Sequence, residues 1–436
     1  MKKIAFVLWL CLSWTGLAQS SEEAIRWNPS KTAGSYYVYD SGALPAPTPA
    51  PKGYKPFYVS HFGRHGARYC TGEYEKMYGW LDQAEKAGVL TGGGKAFFDQ
   101  YRTFYQKVRL SRGNLTRLGK EQHRSIARHL YERFPEVFEG PTHVVAASTE
   151  SPRVIMSMWS CLSELQKSDP DLSIDADASA RFASWLQPVL PSNPYYVKER
   201  MQPGQAAQDS LKAYFDRTVP WERILLRLFT GTEAVTEVLK TTPQAFVVQL
   251  HAIVEGTLCL NEDRGCFDSW MTEEERYKVW KYSSASMFAG CGRFDNSGDL
   301  KVDYAAFTLE QILQTADADM ASGDTQLRLR FGHDASLMPL VTFLNPNGMG
   351  RNTSSFEESL DIFPNYLMPM GSSLQFIFYR NARNRVLVKV LLNEEEVTLP
   401  FREAAGHCYS WEDFKAYYQE RIAASKDKVL KVRALS

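Results

Sequence analysis

The sequence predicts an α/β protein: a parallel-type central sheet flanked by helices, built from both chain ends, with a mostly helical lobe inserted between them. Three observations predict this class. Short runs at 54–60, aromatic and β-branched, and at 143–147 have the length and composition of buried strands, and 327–332 returns to strand character. Helical periodicity dominates the stretch from 169 to 322. Two further apolar runs, 374–379 and 385–392, flank Asn381-Ala382-Arg383-Asn384 and read as a hairpin. The 436 residues are 44% hydrophobic and 23% charged, which excludes disordered, collagen-like and coiled-coil chains. Lys+Arg and Asp+Glu are both 50, so no basic surplus exists to draw a nucleic acid or an anionic membrane.

In chain order, Lys2 and Lys3 precede an apolar stretch at 4–12, and Gly16-Leu17-Ala18 offers small residues for cleavage after Ala18. This reads as a bacterial signal peptide over 1–18, with a periplasmic or secreted product. No later segment approaches the ~18 apolar residues of a membrane helix. Six cysteines remain after cleavage: Cys70, Cys161, Cys259, Cys266, Cys291 and Cys408. In an oxidising compartment they suggest disulfides, with Cys259–Cys266 the expected pair across a short polar loop. No Cys-x-x-Cys pair or His cluster supports a metal site. Residues 20–55 read as an extended strap. Helices follow at 73–88, 95–108 and 115–134, the last with Thr116 as N-cap and Pro135 as the stop. Pro152 opens another, to about 166. The middle carries helical candidates at 206–216, 220–229, 243–254, 273–282 and 303–321, and 411–422 closes the chain. The expected division is 19–168 and 323–436 for the α/β core, with 169–322 as the inserted lobe.

The chemistry gathers at strand ends. Arg64-His65-Gly66-Ala67-Arg68 follows the first strand, at the carboxyl edge where parallel sheets bind ligands. Guanidinium forks match phosphate oxygens, and a neutral imidazole among them can attack phosphorus. Gly332-His333-Asp334 ends another strand, and Arg153 lies in the turn after a third. Each piece alone also fits a solvated turn or a helix face. Three strand ends that each deliver Arg or His favour a shared anion site.

At these residues the chain resembles the histidine phosphatase superfamily, in its acid phosphatase and phytase branch. The matching segments occur in order: Arg64 to Arg68, then Gly113, Leu115, Thr116 and Gly119, then Ser148 to Arg153, then His333-Asp334. Arg133-Phe134-Pro135-Glu136 is similar to the inositol-polyphosphate phosphatase subgroup. That subgroup usually carries His-Ala-Glu late in the chain, where this sequence has His333-Asp334-Ala335, and Cys70 stands where a proline is usual. The resemblance implies hydrolysis of phosphate monoesters without metal or cofactor. It implies His65 as nucleophile, Arg64, Arg68, Arg153 and His333 as phosphate-holding groups, and Asp334 as the acid that protonates the leaving oxygen. Nearby arginines lower an aspartate's pKa while a bound phosphate dianion raises it, so activity is expected to favour acidic pH. A small phosphorylated substrate is the implied partner, with inositol polyphosphates preferred. Lys198, Arg200 and Lys212 are candidate cations for further phosphates. Two alternatives stay open: a broad acid phosphatase of sugar or nucleotide monoesters, and a non-catalytic phosphate-ligand binder on the same scaffold.

Overall fold

The structure, a computed structural model, describes residues 20–39, 44–191, 193–295 and 300–435. The leader read at 1–18 lies outside the described residues. Among the described residues eight strands form one mixed sheet: β1 (Tyr54–Arg64), β2 (His143–Ser148), β3 (Ser173–Ala178), β4 (Leu327–Gly332), β5 (Ser373–Asn381), β6 (Val386–Leu392), β7 (Glu395–Glu396) and β8 (Cys408–Ser410). Their order is β3-β2-β4-β1-β5-β6-β7, with β8 also on β6. The first four run parallel and the rest antiparallel. The carboxyl ends of β2, β4 and β1 therefore lie side by side: Gly332 pairs with Arg64, and Phe331 with both Gly63 and Ser148.

Burial on both faces explains the apolar runs. Val59, Val144, Ala146, Leu327, Leu329 and Phe331 face the helices Arg117–Arg133 and Pro152–Ser168, meeting Ala127, Leu130, Val154, Met158, Leu162 and Leu165. Tyr58, Phe62, Phe376 and Phe378 face the opposite core with Leu309 and Ile312 of Lys301–Ser322 and Phe414 and Tyr418 of Trp411–Leu435. The helical lobe is built from Gln205–Thr218, Trp221–Leu228, Pro243–Gly256 and Glu273–Cys291. It also recruits Glu73–Lys86 and Gly92–Val108: Trp80 packs on Phe246, and Phe97 on Phe267 and Trp270. Strand β3 lies past residue 168 yet belongs to the sheet, so the helical stretch starts after it.

Two expectations are corrected. The strap is not wholly extended. Ser21–Trp27 is helical, and Pro29–Tyr36 is largely 3-10 helix. The cause is a capping box: the Ser20 hydroxyl accepts from the Glu23 N–H, and the Glu23 carboxylate accepts from the Ser20 N–H. Nor does Cys259 bridge Cys266, since no disulfide joins any of the six described cysteines. Cys259 is fully buried and its Sγ donates to the Tyr36 carbonyl, whereas Cys266 is only half-buried. Among the described residues no helix is long and apolar enough to cross a membrane.

His61 and His123 lie in this core, edging the Phe331 ring at 5.5 and 5.7 Å between centroids. Both ring nitrogens of His61 are buried without a partner, while His123 faces the Arg64 backbone. Burial, with the mutual effect of His123 and the charge of Arg330, pushes His61 down to about 3. Burial likewise pushes His123 down to about 4. Both are neutral when folded and take a proton near pH 6.5 when unfolded. Their penalty is absent above that pH and grows as pH falls toward the folded values. It reaches about 2 kcal/mol per histidine at pH 5. Urea midpoints are expected to drop between pH 7 and pH 5, with a shallower drop in His123→Leu; identical slopes in both proteins would remove His123 from this role.

Candidate active site

The loop after β1 has almost every backbone group fixed from elsewhere in the chain. Arg64 N–H donates to Ser372 O and His65 N–H to Gly332 O, while His65 O accepts from Gly371 N–H. Gly66 N–H donates to the Ser157 hydroxyl, and Ala67 N–H to Gln122 Oε1 at 2.7 Å. Ala67 O accepts from both the N–H and the hydroxyl of Thr116, the residue that caps the Arg117–Arg133 helix. Gln122 also donates to Met370 O and Tyr39 O, which ties the loop to the β5 side of the sheet. The loop sits directly on that helix because neither partner has a side chain. A Cβ on Gly66 would lie 2.3 Å from Gly119 O, and one on Gly119 2.2 Å from Ala67 O. Gly66→Ala must therefore displace the loop, and kcat is expected to fall about 10²-fold. Unchanged kcat would show that the loop's seat is not what positions His65.

His65 is 2% exposed. Its Nδ1 lies 3.0 Å from Gly66 O, so Nδ1 carries the proton and donates, and Nε2 keeps its lone pair. Burial first, then the charges of Arg64 and Arg68, hold its pKa well below the ordinary imidazole value. The ring is therefore unprotonated even in acid.

Around it stand the three sequence-predicted arginines. Arg64 is 1% exposed; it donates to Ser35 O at 2.8 Å and to Met368 O, and pairs with Asp334 Oδ2 at 2.7 Å. Arg68 lies over the Tyr36 ring at 5.5 Å and donates to Tyr69 O. Arg153, at the first turn of its helix, donates to His333 Nδ1 at 3.4 Å. Its pKa falls to about 10, chiefly through burial and then through Arg68. The Nε atoms of Arg64, Arg68 and Arg153 are all buried without a partner. Buried donors of this kind are costly unless an anion takes them up.

His333 and Asp334 open the Asp334–Leu344 helix, whose amino end adds to the positive field. His333 lies 5.5 Å from His65, ring to ring. Its Nδ1 accepts from Arg153, so Nε2 carries the proton and donates to Thr149 Oγ1 at 3.2 Å. Burial and Arg153 lower its pKa, so it serves as a neutral donor and not as a cation. For Asp334, burial raises the pKa but is outweighed by Arg64, then His333 and Arg68. The carboxylate is thus ionised in the free protein, with Oδ1 accepting from Ala335 N–H.

The structure brings Arg64, His65, Arg68, Arg153, His333 and Asp334 together. Lys198 and Arg200 are exposed in a 3-10 turn before Met201, which packs with Leu300, Tyr304 and Val429. Lys212 pairs with Asp216 at 2.7 Å and lines a groove of about 620 Å³ with Gln202, Gln244, Tyr282 and Lys301. None of the six lies on that groove's wall. Sequence reading missed Ser35, Tyr36, Gln122 and Ser157, whose roles come from contacts between distant parts of the chain. Thr149 lay inside a quoted segment, but nothing local assigns its hydroxyl to His333.

Residues 59–187 match the family model described as histidine phosphatase superfamily, branch 2. Among solved structures, the multiple inositol polyphosphate phosphatase of Bifidobacterium longum in complex with inositol hexasulfate aligns with a TM-score of 0.72 at 18% identity. That alignment covers 88% of this chain and 97% of that one. The same protein's phosphate complex gives 0.70 at 17% identity, again over 88% and 97%. The phytase from D. castellii gives 0.67 at 15% identity, over 90% of this chain and 85% of that one. No curated protein matches the sequence. The structural likenesses show the fold, and the family match covers the segment that holds His65, Arg64, Arg68 and Arg153.

Proposed function

We propose that this protein hydrolyses phosphate monoesters through a phosphohistidine on His65, with inositol polyphosphates as its substrates, and that it works outside the cytoplasm after loss of the 1–18 leader. One observation carries the reading: three buried guanidinium Nε atoms without partners surround an imidazole whose Nδ1 is pinned by a backbone carbonyl. In the first step Nε2 of His65 forms a bond to phosphorus as the ester P–O bond breaks. Asp334, protonated, gives its proton to the departing alkoxide. In the second step Asp334 takes a proton from water, whose oxygen attacks phosphorus and releases His65 and inorganic phosphate. Arg64, Arg68, Arg153 and neutral His333 hold the equatorial oxygens as charge spreads over them.

The pH dependence follows from two opposite needs. His65 must be neutral, and its lowered pKa keeps it so well into acid. Asp334 must be protonated, yet Arg64 favours its ionised form. A phosphate dianion competes for Arg64 and repels the carboxylate, so binding raises the Asp334 pKa toward the working range. Activity requires the acid form and is lost as pH rises through that raised value. The Bifidobacterium longum relative, described with inositol hexasulfate bound, supports the polyphosphate reading.

The test is phosphate release from inositol hexakisphosphate, a sugar phosphate and a nucleotide monophosphate between pH 4 and 8, with and without a chelator. The expected outcome is faster turnover of the hexakisphosphate, rising toward acid and insensitive to chelation. Equal or greater kcat/KM on the sugar phosphate would replace this reading with a broad acid phosphatase. No turnover of any ester would leave only a binding role.

A further inference from the structure

A substrate with several phosphates brings anionic groups that the pocket around His65 does not reach, so they must meet cations at its rim. We propose that Arg112 is a specificity-determining residue that holds a phosphate other than the one under attack; this rests on the inositol-polyphosphate reading above. The loop that bears it is fastened to the nucleophile loop. Gly113 N–H donates to Cys70 O at 2.9 Å, Tyr69 N–H to Asn114 O at 3.0 Å, and Leu115 bridges Arg68. Gly113 has a φ of +68°, and a Cβ there would lie 4.0 Å from Arg153 Nη1. The backbone beside Arg112 therefore borders the phosphate-holding guanidinium itself.

From this seat the Arg112 side chain reaches to Gly72. Its Nη2 lies 3.6 Å from where a Gly72 Cβ would be, four residues beyond Arg68. A Cβ at position 72 would meet it in ordinary contact. The carboxylate of Glu73, next in sequence, is occupied on both oxygens: Oε1 accepts from Tyr36 OH, and Oε2 from the Thr71 hydroxyl and Gly72 N–H. Arg112 is exposed, and among the described residues no carboxylate pairs with it. An anchored, unspent guanidinium fork just outside a single-phosphate pocket fits the second phosphate of a substrate, and a monoester with one phosphate gives it nothing to hold.

The test compares wild type, Arg112→Ala and Arg112→Lys on inositol hexakisphosphate and on p-nitrophenyl phosphate. In Arg112→Ala, kcat/KM on the hexakisphosphate is expected to fall about tenfold, mostly through KM, while the aryl ester changes less than about twofold. Arg112→Lys is expected to recover part of that loss, because the charge returns without the fork. Equal losses on both substrates, or none on the hexakisphosphate, would overturn the assignment. Wild-type indifference to the hexakisphosphate would instead overturn the substrate reading on which it rests.

Discussion

His65→Ala is expected to abolish turnover, with kcat down about 10⁴-fold or more. The effect is this large because no other group can take its place. His333, the nearest ring, spends Nδ1 on Arg153 and donates from Nε2 to Thr149, so it presents no free lone pair. The pocket should survive the change, since Arg64, Arg68 and Arg153 are held by groups other than the imidazole. Phosphate should still bind to the variant as a competitive ligand. Rapid alkaline quench of wild type during turnover should trap a phosphoenzyme that is stable in base and labile in acid, and the variant should give none. Phosphorylation of the variant to the wild-type extent would place the nucleophile at another residue.

Asp334→Asn is the second large effect, and its size should depend on the leaving group. Loss of the general acid is expected to slow alkyl phosphates by about 10²- to 10⁴-fold. p-Nitrophenolate departs without a proton, so the aryl ester should suffer far less in the first step. The same substitution removes the partner of Arg64 Nη2 at 2.7 Å, which frees that donor for phosphate. Tighter product inhibition should therefore accompany the slower chemistry. Equal slowing of alkyl and aryl esters would remove Asp334 from the acid role.

The strand ends were legible in the sequence because three strand-like runs each give way to polar residues, with charged ones within four positions. Arg64 to Arg68, His333 and Asp334 announce themselves in this way, and their meeting follows from parallel pairing of β1, β4 and β2. Strand β3 was hidden because Ser-Ile-Asp-Ala-Asp-Ala is an edge strand with Asp175 exposed, so it lacks the apolar signature of a buried strand. The disulfide expectation rested on compartment chemistry, which fixes no geometry. The supports of the loop were illegible for another reason. Gln122 reaches Ala67 across 55 positions and Ser157 reaches Gly66 across 91, and such pairings exist only once the helices have packed. Lys198, Arg200 and Lys212 were chosen by charge within the lobe, a criterion that says nothing about which way the lobe turns toward the pocket.

The first described residues of the chain supply working parts to the pocket: Ser35 offers its carbonyl to Arg64, and Tyr36 its ring to Arg68. An engineer who wishes to graft this protein onto a bead or fuse it to a carrier should therefore leave that end untethered. The opposite end, where Leu435 closes the terminal helix and is 90% exposed, is the better handle, because strain there does not pass through the guanidinium groups.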